Sequence, residues 1–120
     1  MHELSLSSAI VDTVERHADG RRVTTVTMTI GSLRQVVAES LSFYFEIVSR
    51  GRVCEGATLE QNYVEARVRC VPCDRGWTLD QPIFRCPDCG GSEIEVLSGE
   101  EFEVDSIDVT EEEAACIAPR

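Results

Sequence analysis

Cys70-Val71-Pro72-Cys73 and Cys86-Pro87-Asp88-Cys89-Gly90-Gly91 stand twelve residues apart in a chain of 120. Each Cys-x-x-Cys pair places two thiolates on one side of a tight turn. Two such knuckles facing each other bring four sulfurs to about 2.3 Å from one tetrahedral Zn²⁺. Pro72 and Pro87 stiffen the turns, and Gly76 and Gly90 are the residues expected to take the positive φ angles that knuckles use. The spacing is that of a zinc ribbon. A disulfide framework, a redox dithiol and an iron–sulfur site draw on the same residue type. A thioredoxin-type motif is single and sits in a β-α-β context, whereas a rubredoxin-like iron site takes the same four thiolates. Cys70, Cys73, Cys86 and Cys89 are therefore read as zinc ligands, with iron as the rival.

Moving outward, Gly76-Trp77-Thr78-Leu79 and Ile83-Phe84-Arg85 suit short hairpin strands inside the ribbon. Trp77 and Phe84 are expected to cover the sulfurs and keep water from them, which is packing and not catalysis. Val64 to Arg69 leads into the ribbon and Ile94 to Leu97 leaves it.

Upstream, residues from Leu4 to Ala18 repeat apolar side chains at Leu6, Ile10, Val14 and Ala18, with Val11 beside them. That period belongs to an amphipathic helix. Asp12, Glu15 and Arg16 face water, Gly20 ends it, and His17 sits where it can meet the last carbonyls. Val23 to Ile30 alternates Val26, Met28 and Ile30 against Thr25, Thr27 and Thr29, the pattern of a half-buried strand. Val37 to Arg50 reads as a second helix with Leu41, Phe45 and Val48 on one stripe, widened by Tyr44 and Ile47, and closed by Gly51. The aromatic run Phe43, Tyr44, Phe45 is expected in the core. Cys54 stands alone and reads as a small, partly buried apolar residue. Thr58 to Tyr63 is a second, less regular strand.

Downstream, Phe102 to Val109 alternates again, with one slip near Asp105-Ser106. It has no core of its own and is expected to return to the sheet of the first two strands. The fold class is therefore α+β: a small sheet of about three strands with two helices, plus a zinc-ribbon module inserted between the last two strands. The boundaries are residues 1–65 and 99–110 for the α/β domain, 66–98 for the ribbon, and 111–120 for a disordered tail. From Glu100 to Glu113 there are eight acidic residues and no basic one, the composition of a solvated segment.

Net charge is −11, so the chain repels phosphates, and nucleic acid is set aside as a partner. No apolar run approaches the roughly 20 residues of a membrane span. The first residues lack the basic and apolar regions of a signal peptide, and paired thiols without one place the chain in a reducing cytoplasm. No Ser/His/Asp constellation or carboxylate dyad is recognisable, and no histidine neighbours the cysteines, so the chain is not read as an enzyme.

The start, Met1-His2-Glu3-Leu4, carries a second pattern. A histidine at position two chelates through the α-amine, its own deprotonated amide and its imidazole. Those fused rings favour a planar metal with strong-field nitrogens, Ni²⁺ or Cu²⁺ and not Zn²⁺. Methionine is expected to be retained before so large a second residue. Two residues alone read equally as a start followed by an ordinary polar side chain.

Taken in order, Met1-His2-Glu3-Leu4-Ser5-Leu6, Ile30-Gly31-Ser32-Leu33, Leu41-Ser42-Phe43-Tyr44-Phe45-Glu46, Glu55-Gly56-Ala57-Thr58-Leu59, the two cysteine pairs and Ile107-Asp108-Val109 resemble one family. It is the hydrogenase nickel-incorporation proteins, HypA/HybF, and the resemblance runs from Met1 to Val109. It implies a cytoplasmic nickel metallochaperone, not an enzyme, that carries Ni²⁺ to the large subunit of [NiFe] hydrogenase together with a HypB-type GTPase. Some members also serve urease maturation factors. It implies nickel ligands at Met1 (amine), His2 (amide and imidazole) and Glu3 (amide or carboxylate), with structural zinc at Cys70, Cys73, Cys86 and Cys89. Some relatives complete the nickel site elsewhere. Here the only other histidine is His17, and Asp12 and Glu39 are the acidic candidates. Cys116 and the acidic tail lie outside the matched stretch. The competing class is a zinc-ribbon interaction module without metal cargo.

Overall fold

The computed structural model describes residues 2–113, with side chains from 3 to 110. The order of elements is α1 (His2–Ala18), β1 (Arg21–Gly31), a 3-10 turn (Ser32–Arg34), α2 (Ala38–Val48), β2 (Thr58–Val64), β3 (Ala66–Cys70), β4 (Arg75–Leu79), β5 (Ile94–Ser98) and β6 (Phe102–Glu113). Two three-stranded sheets result, β2-β1-β6 and β4-β3-β5. The three strands of the second sheet fall, in sequence, between β2 and β6, so the small α/β sheet with its ribbon insertion is as expected. Chain contacts divide the protein into two compact units. One takes the stretch ending at Thr29, then Val36–Asn62, then the stretch beginning at Glu103; the other takes Ile30–Gln35 and Tyr63–Phe102.

In the first unit, α1 buries Ile10, Val11, Val14 and Ala18, as its period requires. Toward its start the buried row continues through Ser7 and Glu3 rather than Leu6, because steps of three and four back from Ile10 land there. Ser7 Oγ answers that burial by donating to the Leu41 carbonyl at 3.4 Å. The helix stops where Asp19 and Gly20 turn left-handed, φ 55° and 79°. His17 Nδ1 lies 2.9 Å from the Thr13 carbonyl, one turn back inside α1 and not at the last carbonyls expected of it. α2 packs against α1 and runs in the same direction, residue 3 meeting 37 and residue 7 meeting 41.

β1 sends Val26, Met28 and Ile30 inward and leaves Thr25, Thr27 and Thr29 half-exposed. α2 buries Leu41 and Phe45. Phe43, expected in the core, is instead 57% exposed and stacks edge-on against Tyr44 at 5.3 Å between ring centres. The reason is angular: Phe43 lies two residues from both Leu41 and Phe45, which points it away from the stripe they share. α2 ends at Val48, two residues before the expected Arg50, with the Ser49 N–H on the Phe45 and Ile47 carbonyls. Arg52, just beyond, grips Glu15 with Nε and Nη2 at 2.7 and 2.5 Å and reaches Asp12 at 3.2 Å. Cys54 is fully buried, and burial pushes its thiol up to about 11.

In the second unit β3 is central and pairs antiparallel with both neighbours, in the registers Val68↔Trp77 and Val68↔Val96. Here the reading of the ribbon needs correction. Ile83-Phe84-Arg85 forms no strand. The Ile83 N–H closes back on the Gln81 carbonyl at 2.7 Å, and Pro82 and Pro87 deny the stretch ladder donors. The partner on that side of β3 is β5, which had been read as the exit. β6 also runs on to Glu113, past the expected end at Val109. The remainder of the expected tail, 114–120 with Cys116, lies outside the described residues.

Candidate metal centre

Cys70 is the last residue of β3 and Arg75 the first of β4, so the first cysteine pair occupies the turn of a hairpin. The Asp74 N–H closes that turn on the Cys70 carbonyl at 2.8 Å. The second pair repeats the move: the Gly90 N–H meets the Cys86 carbonyl at 2.9 Å. Asp74 and Gly90 are thus equivalent, each one step past the second cysteine, and both are left-handed, φ 54° and 71°. Gly90 does what was expected of it. Gly76 does not; the left-handed residue of the first knuckle is Asp74, since aspartate also tolerates that region.

The four sulfurs converge. Those of Cys70, Cys73, Cys86 and Cys89 all lie within 4.8 Å of one another, with Cys70 and Cys89 at 3.7 Å. Sulfurs about 2.3 Å from a shared tetrahedral cation sit roughly 3.8 Å apart, so the cage has the size a zinc-like ion needs. Cys70 and Cys86 are buried, Cys73 and Cys89 exposed. Backbone N–H groups point at the sulfurs: Asp88 N to Cys86 Sγ and Gly91 N to Cys89 Sγ, both at 3.4 Å. The Cys89 N–H, with help from Asp88, pulls the Cys86 thiol down to about 7. The Cys89 and Cys70 sulfurs push Cys73 up to about 12. Four thiols packed this closely cannot all ionise alone; a soft divalent cation displaces their protons and meets four thiolates. The knuckles are braced from outside by Arg75–Asp88 at 2.6 Å, and by Arg69 to Asp74 at 2.7 Å and to Glu95 at 2.8 Å. Trp77 is half-buried on the Cys70 side of the sheet, two register steps away, while Phe84 leaves 39% of its surface to solvent.

The other candidate residues are at the opposite end of the sequence. Met1 and the His2 side chain lie outside the described residues. Glu3 is 7% exposed, and its carboxylate accepts the Val37 N–H at 3.3 Å. That bond holds the carboxyl below its ordinary range. Asp12 is engaged with Arg52, and Glu39 is exposed in the first turn of α2. Among the described residues the four cysteines are the one cluster of three or more metal-ligating side chains. Sequence reasoning missed the bond from Glu3 to Val37, which no local pattern reveals. It also missed Asp74, whose place matching Gly90 was readable.

A family model described as "Hydrogenase/urease nickel incorporation, metallochaperone, hypA" matches residues 1–109. A hydrogenase maturation factor HypA of Streptomyces avermitilis is 42% identical over 112 residues, covering 89% of this chain and 86% of that protein. The HypA of Geotalea uraniireducens is 39% identical over 109 residues, covering 91% and 99%. The solution structure of the Ni metallochaperone HypA from Helicobacter pylori superposes with a TM-score of 0.66 at 21% identity, covering 91% of this chain and 97% of that one, which is a likeness of fold. No helix among the described residues is long and apolar enough to cross a membrane. With two helices, two small sheets and a four-cysteine cage now matched along nearly its whole length, the chain belongs to the HypA family of hydrogenase nickel-incorporation metallochaperones, which are carriers and not enzymes.

Proposed function

We propose that this chain binds one Ni²⁺ at its first residues and carries it to the large subunit of [NiFe] hydrogenase in the cytoplasm, working with a HypB-type GTPase. Service to urease maturation factors belongs to the same reading. The observation that carries it is the family match beginning at residue 1, on a chain that opens Met1-His2-Glu3. The nickel ligands are the Met1 amine, the amide and imidazole of His2, and the backbone amide of Glu3. α1 starts at His2, and the first N–H groups of a helix have no carbonyl four residues back. Coordination through these amides therefore costs α1 none of its i→i−4 bonds. A set of three or four nitrogens selects Ni²⁺ over Zn²⁺ and leaves edges open to an acceptor's ligands.

The cysteine cage has the opposite character: sulfur-rich, closed and braced. Cys70, Cys73, Cys86 and Cys89 would hold Zn²⁺, whose chemistry there is to fix the ribbon, not to react. The test is equilibrium dialysis of untagged protein against Ni²⁺ with elemental analysis. Wild type binds about one Ni²⁺ per chain beyond its zinc, the stoichiometry of a single nitrogen chelate. His2→Ala abolishes that binding and leaves the zinc, and a short N-terminal extension weakens it. Equal nickel uptake by His2→Ala would refute the site and favour an interaction module without cargo.

A further inference from the structure

The carboxylate of Glu3 is already employed. It is the one charged side chain buried among the described residues, and its Oε2 accepts the Val37 N–H at 3.3 Å. Val37 is the N-cap residue of α2, and its own side chain, an isopropyl group, offers that helix no cap. Four N–H groups at a helix start need acceptors from outside, and a carboxylate there also meets the positive end of the helix dipole. Glu3 supplies both from 34 residues away. One turn further along, Ser7 Oγ on the Leu41 carbonyl ties the same two helices. The first turn of α1, and with it the backbone of residues 2 and 3, is thus fixed by its grip on α2.

We propose that Glu3 is a positioning residue of the nickel site and not a ligand through its carboxylate: the side chain caps α2, and this holds the backbone of residues 2 and 3 in place at the start of α1. The inference rests on the N-terminal nickel reading for its functional meaning, but the cap stands or falls by itself. A metal bound through Oε2 would displace the Val37 N–H and leave an amide donor without its acceptor at the start of a helix. The backbone amide of Glu3 can serve a metal without that loss.

The test uses the full-length protein, with two variants and two measurements. Hydrogen exchange at the Val37 amide reads the cap, and nickel titration reads the site. Glu3→Ala speeds exchange at Val37 about fivefold, the change expected from losing one N-cap. Glu3→Gln keeps a carbonyl acceptor of the same reach, so exchange stays near wild type and nickel affinity falls by less than about threefold, since no charged ligand is lost. In wild type, nickel loading leaves Val37 protected. The proposal is overturned if nickel loading exposes Val37, or if Glu3→Gln loses nickel as completely as His2→Ala does. It is overturned equally if Glu3→Ala leaves Val37 exchange unchanged. Should wild type bind no nickel at its start while Glu3→Ala still exposes Val37, the chelate reading fails and the cap survives, so the two failures are distinct.

Discussion

Asp74 and Gly90 hold equivalent places in two turns, with φ of 54° and 71°. An L-residue there carries about 1–2 kcal/mol of strain that glycine does not. Asp74 also makes an ion pair with Arg69, but its side chain is 83% exposed, and exposed pairs contribute little. Asp74→Gly should therefore keep the cage's metal and leave the melting temperature equal or slightly raised. Gly90→Val puts a β-branched residue into the same conformation with no atom within 4 Å of its Cβ, so its cost of about 1–2 kcal/mol is conformational alone. Thermal melts and metal competition against a chelator measure both. A destabilised Asp74→Gly beside a silent Gly90→Val would mean the two knuckles are not the same turn. The residue scale is also where the sequence was read least well. Glu3 shows no sign of its partner because Val37 is 34 positions away, and a buried carboxylate is exceptional unless something holds it.

At the scale of elements, periodicity did most of the work. Ile10, Val14 and Ala18 on α1 and the alternation of Val26, Met28 and Ile30 on β1 are buried as their spacing demands. The errors came where a short apolar run lacked a period. Ile83-Phe84 is too brief to show alternation, and Pro82 and Pro87 on either side of it are breakers of a ladder. Phe43 departs for a different reason: an aromatic run is not one face, since a helix turns each neighbour by about 100°. The packing of α1 on α2 gives a direct check. Leu41 is fully buried on α2, and its carbonyl receives Ser7. Leu41→Ala should cost about 3 kcal/mol in chemical unfolding, as truncating a buried leucine does. Phe43→Ala, on the exposed face of the same helix, should cost under about 0.5 kcal/mol. Equal losses would place the core stripe of α2 wrongly.

Across the whole chain, the four cage cysteines lie in one compact unit and the two helices in the other, yet β1, β2 and β6 each have residues in both. The spacing of the cysteines made the ribbon legible from sequence, since a tetrahedral cation admits few spacings. The boundaries were less legible, because Ile30–Gln35 joins the ribbon's unit through backbone bonds that no pattern announces: Gly31 N to the Glu101 carbonyl at 2.7 Å and Leu33 N to the Gly99 carbonyl at 2.8 Å. The ribbon's unit buries few large side chains, Val68 being the largest that is fully buried there apart from Ile30, so it depends on what its sulfurs hold. Removing one ligand therefore has an asymmetric effect. Cys73→Ser should lose the metal and, with it, the pairing of β3 with β4 and β5, since binding and folding of such a site are one equilibrium. The helical circular dichroism of α1 and α2 should persist, because Ile10, Val14, Leu41 and Phe45 bury one another's neighbourhood without any cysteine ligand. Amide exchange at Val68 should accelerate by orders of magnitude while that at Val14 changes little. A mutant that keeps Val68 protected without metal would show that the ribbon folds on its own core, and the cage would then be free to do something other than hold it.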